Sequence, residues 1–370
     1  MIETVSGIDS ATGKWVCPLR DALGLKPRES VTTSPELIER VCFMATQARS
    51  YEAAEEIAKV WGCDISDSSI HRHVVEFGSR IDQQRAEQAE RAIDHRTKLQ
   101  VVGEAARRVG QEKFSLVIML DGWMIRERGA DWGLKPAEAP GSRVAWREMK
   151  SGIVFRAQDV ARTQSGRGIV LEKHYESYRE DVEEFGRRLY ALALRCGLHQ
   201  AQRVFVVADG ALWIWSLSEN HFKGAFEQID FYHASQHLWE VANALHADPK
   251  QARAWIEPLL HQLRHGGEAG FLDSVEGFLR LANDLDADKQ AIIESNVQYF
   301  TKNKKRLHYA RNSRRGCPVG SGAMESTCAQ FQDRFKRTGQ FWKISGEQAL
   351  MSLELIRRNS EWADCWSQIW

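Results

Sequence analysis

Two apolar runs, each followed at once by Asp-Gly, constrain the fold of this 370-residue chain more than any other feature. The segment "FSLVIMLDGW" leads into Asp121, and the segment "VFVVADGALWIW" leads into Asp209. Continuous apolar runs of this length are typical of strands that are buried on both faces. Such strands need a layer of helices on each side. The two runs therefore predict the interior strands of a helix-covered sheet.

The segments around these runs predict the order three strands, helix, strand, helix, strand, helix. Three hairpin-type strands followed by strand–helix units indicate an α/β fold with a mixed sheet. The first predicted strand ends at Asp121, and the third lies in "GRGIVLEKHYES". The other predicted strands are about Ala145–Phe155, Arg203–Ala208 and Phe226–Ile229.

Residues 31–80 show the pattern of a helix-turn-helix module. After a helix that starts at Ser34-Pro35, two short helices flank a turn that contains Gly62. The predicted apolar face of the first is Ala54, Ile57 and Val60, and that of the second, capped by Asp67, is Ile70, Val74 and Phe77. The side chains predicted to face outward, suited to a DNA groove, are Ser68, Ser69, His71, Arg72 and Val75. A generic helical hairpin would fit the same pattern.

The whole chain is predicted to contain six segments. Residues 1–30 are irregular, residues 31–80 form the helix-turn-helix module, and the charged residues 81–112 form a connecting helix. Residues 113–247 form the first part of the α/β core, residues 248–310 a helical insertion, and residues 311–370 the return of the core.

Asp121 and Asp209 are the strongest candidates for a functional site. Both follow strands at the carboxyl edge, where ligands bind in sheets of this type. Two carboxylates there repel each other unless a cation neutralises them, and Mg²⁺ prefers oxygen ligands. Glu325, which opens a helix after "GSG", is the candidate third ligand and would let the site hold two ions ~3.5–4 Å apart. Ordinary turn chemistry for each Asp-Gly, and a helix-dipole preference for Glu325, are the alternatives.

Two further groups of residues bear on chemistry. His233 is a candidate general base or phosphate contact, although a capped histidine at a sheet edge is the alternative. His233 and His237 are spaced like a zinc pair but have no third ligand nearby. A basic run before the Glu325 helix suggests contact with a nucleic-acid backbone, or a solvated charged face. Its candidate residues are Lys304, Lys305, Arg306, Arg311, Arg314 and Arg315.

Bulk properties exclude several classes of protein. The formal net charge is zero, so a polyanion would have to be bound by a local basic patch. No apolar stretch reaches the ~20 residues of a membrane helix, and the first residues show no secretion signal pattern. Seven cysteines without a CxxC pair favour a reducing compartment. A cytoplasmic protein, associated with the bacterial nucleoid, is expected.

Four motifs resemble the ISKra-type transposases of bacterial insertion sequences, relatives of Mutator-type transposases in the DDE superfamily. They are "IMLDGW", "VVADGALWIW", "DFYHASQHLW" and "GCPVGSGAMEST", within a resemblance that covers roughly residues 16–360. The resemblance implies an RNase H-like catalytic domain with Asp121, Asp209 and Glu325 as its metal-binding triad. It also implies that "DFYH" matches a C/D-x-x-H motif at Asp230 and His233.

The expected reaction is cleavage at element ends and transfer of the freed 3′-hydroxyl to target DNA. It would use two Mg²⁺ ions, for which Mn²⁺ can substitute, and Asp121 would bridge them. The partners would be double-stranded DNA and further copies of the chain in a synaptic complex. The alternatives are an RNase H-like nuclease or resolvase without strand transfer, and a catalytically silent DNA-binding protein derived from a transposase.

Overall fold

The computed structural model describes residues 7–18, 22, 26–28, 31–109, 113–135, 141–166 and 168–368. The chain divides into two compact units. The first comprises Met1–Gln84, Arg126–Ala145 and Gln332–Trp370, and the second comprises Arg85–Ile125 and Trp146–Phe331. Among the helices of the described residues, none combines the length and the apolar character needed to cross a membrane.

The amino-terminal third contains short hairpins followed by helices. In the segment predicted as irregular, the described residues form two antiparallel pairs, and residues 1–6, 19–21, 23–25 and 29–30 lie outside the described residues. The strands are β1 (Gly7–Ile8), β2 (Trp15–Val16), β3 (Lys26–Arg28) and β4 (Val31–Thr33). The helices are α1 (Pro35–Gln47), α2 (Tyr51–Val60), α3 (Asp67–Ile93) and α4 (Lys98–Val109).

The helical starts in this region depend on serine caps. The predicted start of α1 is confirmed, because the Leu37 N–H donates to Ser34 Oγ at 3.2 Å. At α3 the cap is Ser66 rather than the predicted Asp67, since Ser66 Oγ accepts from the Ser69 N–H at 3.3 Å. Residue 67 is already the first helical residue, so its side chain cannot take the capping position.

The predicted apolar face of α3 is confirmed, and that of α2 is confirmed at Ala54 but wrong at Ile57 and Val60. Ile70, Val74 and Phe77 are all buried. In α2, Ala54 and Ala58 are buried, whereas Ile57 is 38% and Val60 84% exposed. Two alanines one turn apart present a shallow surface, so α2 packs closely through its small residues while its larger apolar side chains face outward.

Helix α3 continues without a break through the predicted end of the helix-turn-helix module. It runs to Ile93, so the predicted connecting helix over 81–112 corresponds to the second half of α3 followed by α4. The charged sequence of residues 81–112 does not indicate that the second helix of the module continues into the predicted connecting helix. The domain boundary near residue 80 stays a prediction.

A five-stranded mixed sheet forms the centre of the second unit. The strands along the chain are β5 (Ser115–Arg128), β6 (Val144–Arg156), β7 (Val160–Arg162), β8 (Gly168–Val170), β9 (His174–Arg179), β10 (Arg203–Ala208) and β11 (Phe226–Ile229). The sheet order is β11-β10-β5-β6-β9, with β10 parallel to both β5 and β11 and with β6 antiparallel to β9. The predicted bounds of β10 and β11 are confirmed.

Two strand predictions need correction. β5 continues seven residues beyond Asp121, to Arg128, so Asp121 lies inside the strand and not at its end. The pairing of β5 with β10 does end beside Asp121, because β10 stops at Ala208. The third strand of the sheet is β9, while the first half of the segment predicted for it contains β8, which pairs with β7 in a separate hairpin.

Helices follow the strands in the predicted order. They are α5 (Val182–Arg195), α6 (Leu212–His221), α7 (Phe231–Leu245), α8 (Pro249–His261), α9 (Glu268–Leu281), α10 (Ala287–Lys302), α11 (Tyr309–Ser313), α12 (Gly322–Phe335), α13 (Ile344–Arg358) and α14 (Trp362–Ser367). The helical character of the segment from 248 to 302 is thereby confirmed. The predicted apolar stripe of α12 is buried at Met324, Cys328, Phe331 and Phe335. The mixed α/β architecture is as predicted.

Candidate carboxylate site

The register of β5 and β10 brings Asp121 and Asp209 to the same level of the sheet. The parallel pairing ends with Leu120 opposite Ala208, and the next residue on each chain is the aspartate. The residues of β5 and β10 just before the aspartates are buried, whereas Asp121 and Asp209 are half-buried. Asp121 and Asp209 therefore lie at the level where the parallel pairing of β5 with β10 ends.

A tight turn after β10 fixes the backbone at Asp209. Asp209 Oδ1 accepts the Ala211 N–H at 3.1 Å, and its carbonyl oxygen accepts the Tyr299 hydroxyl at 3.2 Å. Gly210 has φ of +112°, and a Cβ atom there would lie 3.2 Å from the Tyr299 hydroxyl. Only glycine adopts this backbone conformation without strain, so the Asp-Gly pair serves the geometry of the turn as well as supplying a carboxylate.

Glu325 reaches the site from the first turn of α12, after an anchored loop. The buried Asp230 carboxylate accepts the His233 N–H at 2.7 Å and the Ser321 hydroxyl at 2.9 Å, and it also accepts the Ser321 N–H. One side chain thus caps α7 and fixes the loop that leads into α12. Glu325 itself is exposed.

Electrostatics link the three predicted carboxylates. Burial raises the pKa of Asp121, and the charges of Asp209 and Glu325 raise it further. Hydrogen bonds from the Gly122 N–H, at 2.7 Å, and from the Cys328 thiol lower it. Both Asp209 and Glu325 repel the charge on Asp121. Residues that are more than 200 positions apart in the chain therefore interact electrostatically.

Cys328 is a member of the site that the sequence did not reveal. It is buried, and its hydrogen bond to Asp121 and its own burial raise the pKa of the thiol. It had been assigned only to the apolar stripe of α12. Its spacing of three residues from Glu325 was the available signal, because residues at i and i+3 share a helix face.

The donor set suits a hard divalent cation, although the carboxylates are not drawn together. Within the described part of the chain, no group of three or more His, Cys, Asp or Glu residues is placed to hold a metal ion. Three carboxylates are the ligand type that Mg²⁺ selects. The assignment of Asp121, Asp209 and Glu325 as metal ligands stays a prediction.

The two histidines of α7 belong to a stacked aromatic group. His237 stacks on Tyr299 with ring centroids 3.7 Å apart, and its Nδ1 lies 2.7 Å from Asn296 Oδ1. Burial lowers the pKa of His237. His233 is half-buried and meets the His237 ring edge-on at 5.2 Å. Tyr299 connects this group to the Asp209 backbone, and the catalytic role of His233 stays a prediction.

The predicted basic run has mixed placement. Arg306 is 7% exposed, donates to Glu227 at 2.7 Å and lies 4.3 Å from the Trp215 ring centroid, so its guanidinium is committed inside the fold. We therefore remove Arg306 from the candidate DNA contacts. Lys305 is exposed and pairs with Glu219 at 3.1 Å. Lys304 and Arg314 are exposed, whereas Arg311 and Arg315 are half-buried.

The predicted recognition residues of α3 face outward. Ser68, His71 and Arg72 are exposed and Ser69 is half-buried. The His71 ring meets the Tyr51 ring edge-on at 5.1 Å. Their placement agrees with the predicted outward face, and DNA binding by these side chains stays a prediction.

Comparison with known proteins gives one match. The model of a family described as "Uncharacterised protein family (UPF0236)" matches residues 164–364, more than half of the chain. The matched segment includes Asp209, His233 and Glu325, and it begins after Asp121. No curated protein matches the sequence.

Proposed function

The chain belongs to the uncharacterised protein family UPF0236, and we propose that it is a DDE-type DNA transposase with an RNase H-like catalytic domain. In this proposal residues 248–310 form a helical insertion in that domain, and the helix-turn-helix residues bind the ends of a mobile element. The substrate class is double-stranded DNA, and several copies of the chain would act together on paired ends.

One observation carries this proposal. Asp121 and Asp209 follow register partners on adjacent parallel strands, and the charge of Glu325 reaches Asp121 from a separate helix. Like charges that act on the half-buried Asp121 are costly unless cations balance them. The resemblance to DDE transposases assigns these same three residues to metal binding. Bound metal ions would serve the displacement of a phosphodiester oxygen.

The strand order adds support for an RNase H-like domain. β5 lies in the middle of the sheet, with its two successors β6 and β9 on one side and the later parallel strands β10 and β11 on the other. The candidate carboxylates come from the two central strands of this order. Such a sheet suits the proposed domain because it places both aspartates at one edge.

The roles of the residues follow from their surroundings. When bound, two Mg²⁺ ions would stabilise the charge on the attacking and leaving oxygens of the phosphodiester. Asp121, Asp209 and Glu325 would hold the ions, since Asp121 interacts electrostatically with both other carboxylates. The half-buried His233 is assigned to orient water or the scissile phosphate. The Asp230 hydrogen bonds hold the start of the Glu325 helix in place.

A second candidate function is a catalytically silent DNA-binding protein derived from a transposase. A nuclease that cleaves without strand transfer is the third possibility. The three functions differ in their products.

An assay on DNA taken from the flanks of the gene separates these functions. We expect the protein with Mg²⁺ to nick the element end and to join the freed 3′-hydroxyl to a labelled target duplex, with neither product in EDTA. Nicks without joined products would assign a nuclease. DNA binding without any cleavage in Mg²⁺ or Mn²⁺ would contradict an enzymatic function.

A further inference from the structure

The first unit contains a cavity of about 600 Å³ that is separate from the carboxylate site in its residues. It is lined by the starts of α2, α3 and α13, by Arg128, and by the segment 337–343 that leads into α13. Two predicted recognition residues, Ser68 and His71, are among its lining residues. The cavity therefore adjoins the helices that were predicted to approach DNA.

Three helices begin at the wall of this cavity. The first residues of α2, α3 and α13 are Tyr51, Asp67 and Ile344, and each helix has at least ten residues. Helix starts carry partial positive charge and unpaired N–H groups. The start of α13 has no side-chain cap, so its first N–H groups can donate to a ligand. The starts of α2 and α3 are capped by Ser50 and Ser66, so it is the uncapped start of α13 that favours an anion here.

The side chains that line the cavity also carry a net positive charge. Five cationic side chains line the cavity against the two carboxylates of Glu52 and Asp67. His71, Arg128 and Lys343 all line the cavity, and besides burial the charges of these two cations lower the pKa of His71. The five cationic residues are Arg49, Arg128, Arg334, Arg337 and Lys343.

Arg334 is the strongest single indication of a ligand. Its side chain is 6% exposed, its Nε donates to the Ala45 carbonyl at 3.1 Å, and neither Nη atom has a hydrogen-bond partner among the described residues. Its guanidinium lies 5.5 Å from the ring centroids of both Tyr51 and Trp342, which also line the cavity. A buried guanidinium whose Nη atoms have no acceptor is costly, and an anion in the cavity that Arg334 lines would balance its charge.

We propose that this cavity binds a phosphate group of the DNA backbone, with Arg337 and Lys343 as direct contacts and Arg334 as a buried charge behind them. Arginine forks and helix starts are a recurrent combination for phosphate. A free phosphate ion shares this chemistry, and the neighbouring Ser68 and His71 favour DNA as the source. The inference rests on the proposed function for the choice of DNA, and it does not require the carboxylate chemistry.

The test uses the full chain in EDTA, so that cleavage plays no part. The affinity for a labelled duplex is measured at several salt concentrations for the double variant Arg337→Gln/Lys343→Gln. The matched control is Lys250→Gln/Arg253→Gln, which removes the same charge from exposed positions of α8. We expect the test variant to lose affinity on the order of tenfold and to lower the salt slope by about 0.9, as for one phosphate. The control should keep the slope of the unmodified protein.

A second arm uses inorganic phosphate alone at constant ionic strength. Phosphate should raise the Tm of the unmodified protein, and it should raise the Tm less in the double variant and in Arg334→Met, which keeps the apolar stacking. A Tm shift without any effect on duplex binding would assign a free-anion site and overturn the DNA proposal. No phosphate effect and equal duplex binding by test and control variants would overturn the cavity as a binding site. If the unmodified protein bound the duplex through this cavity but did not cleave DNA in Mg²⁺, the result would count against the proposed function alone.

Discussion

Replacing Asp209 by asparagine is expected to reduce Mg²⁺-dependent DNA strand cleavage by at least about 10²–10³-fold, the scale seen when one group that stabilises transition-state charge is removed. Asparagine keeps the shape of the side chain and can still accept the Ala211 N–H bond at the turn. The substitution therefore removes the charge that attracts the cations while it leaves the local fold intact. Binding of the duplex in EDTA should be unchanged.

The matched control for this prediction is Asp288→Asn. Asp288 is an exposed carboxylate in the first turn of α10, outside the candidate site. Rates are measured on the same DNA substrate, and circular dichroism checks that both variants are folded. Equal cleavage rates for Asp209→Asn and Asp288→Asn would show that Asp209 has no part in the reaction.

Removing the Asp230 carboxylate is expected to lower the free energy of unfolding by about 3 kcal/mol. Asp230 is 1% exposed, and Asp230→Ala would leave the Ser321 hydroxyl and N–H without their acceptor in a buried position. The start of α7 would lose its cap as well, because the His233 N–H would lose its acceptor. Urea denaturation at neutral pH measures the loss.

Another helix of the same protein offers the comparison for Asp230. Asp248 caps α8 through the Lys250 N–H at 3.1 Å, and it is exposed. Asp248→Ala should therefore cost only on the order of 1 kcal/mol, the usual value for a lost cap. If the two alanine variants were destabilised equally, the bonds from Asp230 to Ser321 would contribute nothing to stability.

The parts of the fold that the sequence predicted are those with one dominant signal. Arg203–Ala208 and Phe226–Ile229 are short, largely apolar runs between turns, and both are strands with the predicted bounds. The helix "FYHASQHLWEVANAL" has an aspartate cap before it and a regular apolar pattern, and it was predicted over the residues that it occupies. Local patterns suffice where pairing and burial agree with them.

The failures arise where a distant partner decides the outcome. The Asp-Gly pair at 121–122 resembles a turn, but β5 continues because distant backbone groups pair with it, as when the Trp342 N–H donates to the Arg126 carbonyl at 3.0 Å. Arg306 was predicted to contact DNA or solvent, but it binds Glu227, 79 residues away in the chain. Cys328 fits the apolar stripe of α12, and it is its interaction with Asp121, far away in the chain, that makes it part of the site.

Metal-directed cleavage of the protein backbone tests most directly whether Asp121, Asp209 and Glu325 share one cation site. Fe²⁺ takes the place of Mg²⁺ at carboxylate ligands, and with ascorbate and peroxide it generates radicals that cut the chain beside its ligands. We predict cuts close to residues 121, 209 and 325, all suppressed by excess Mg²⁺ and all lost together in Asp209→Asn. Cuts near only one of the three positions, or cuts that persist in Asp209→Asn, would contradict a shared site.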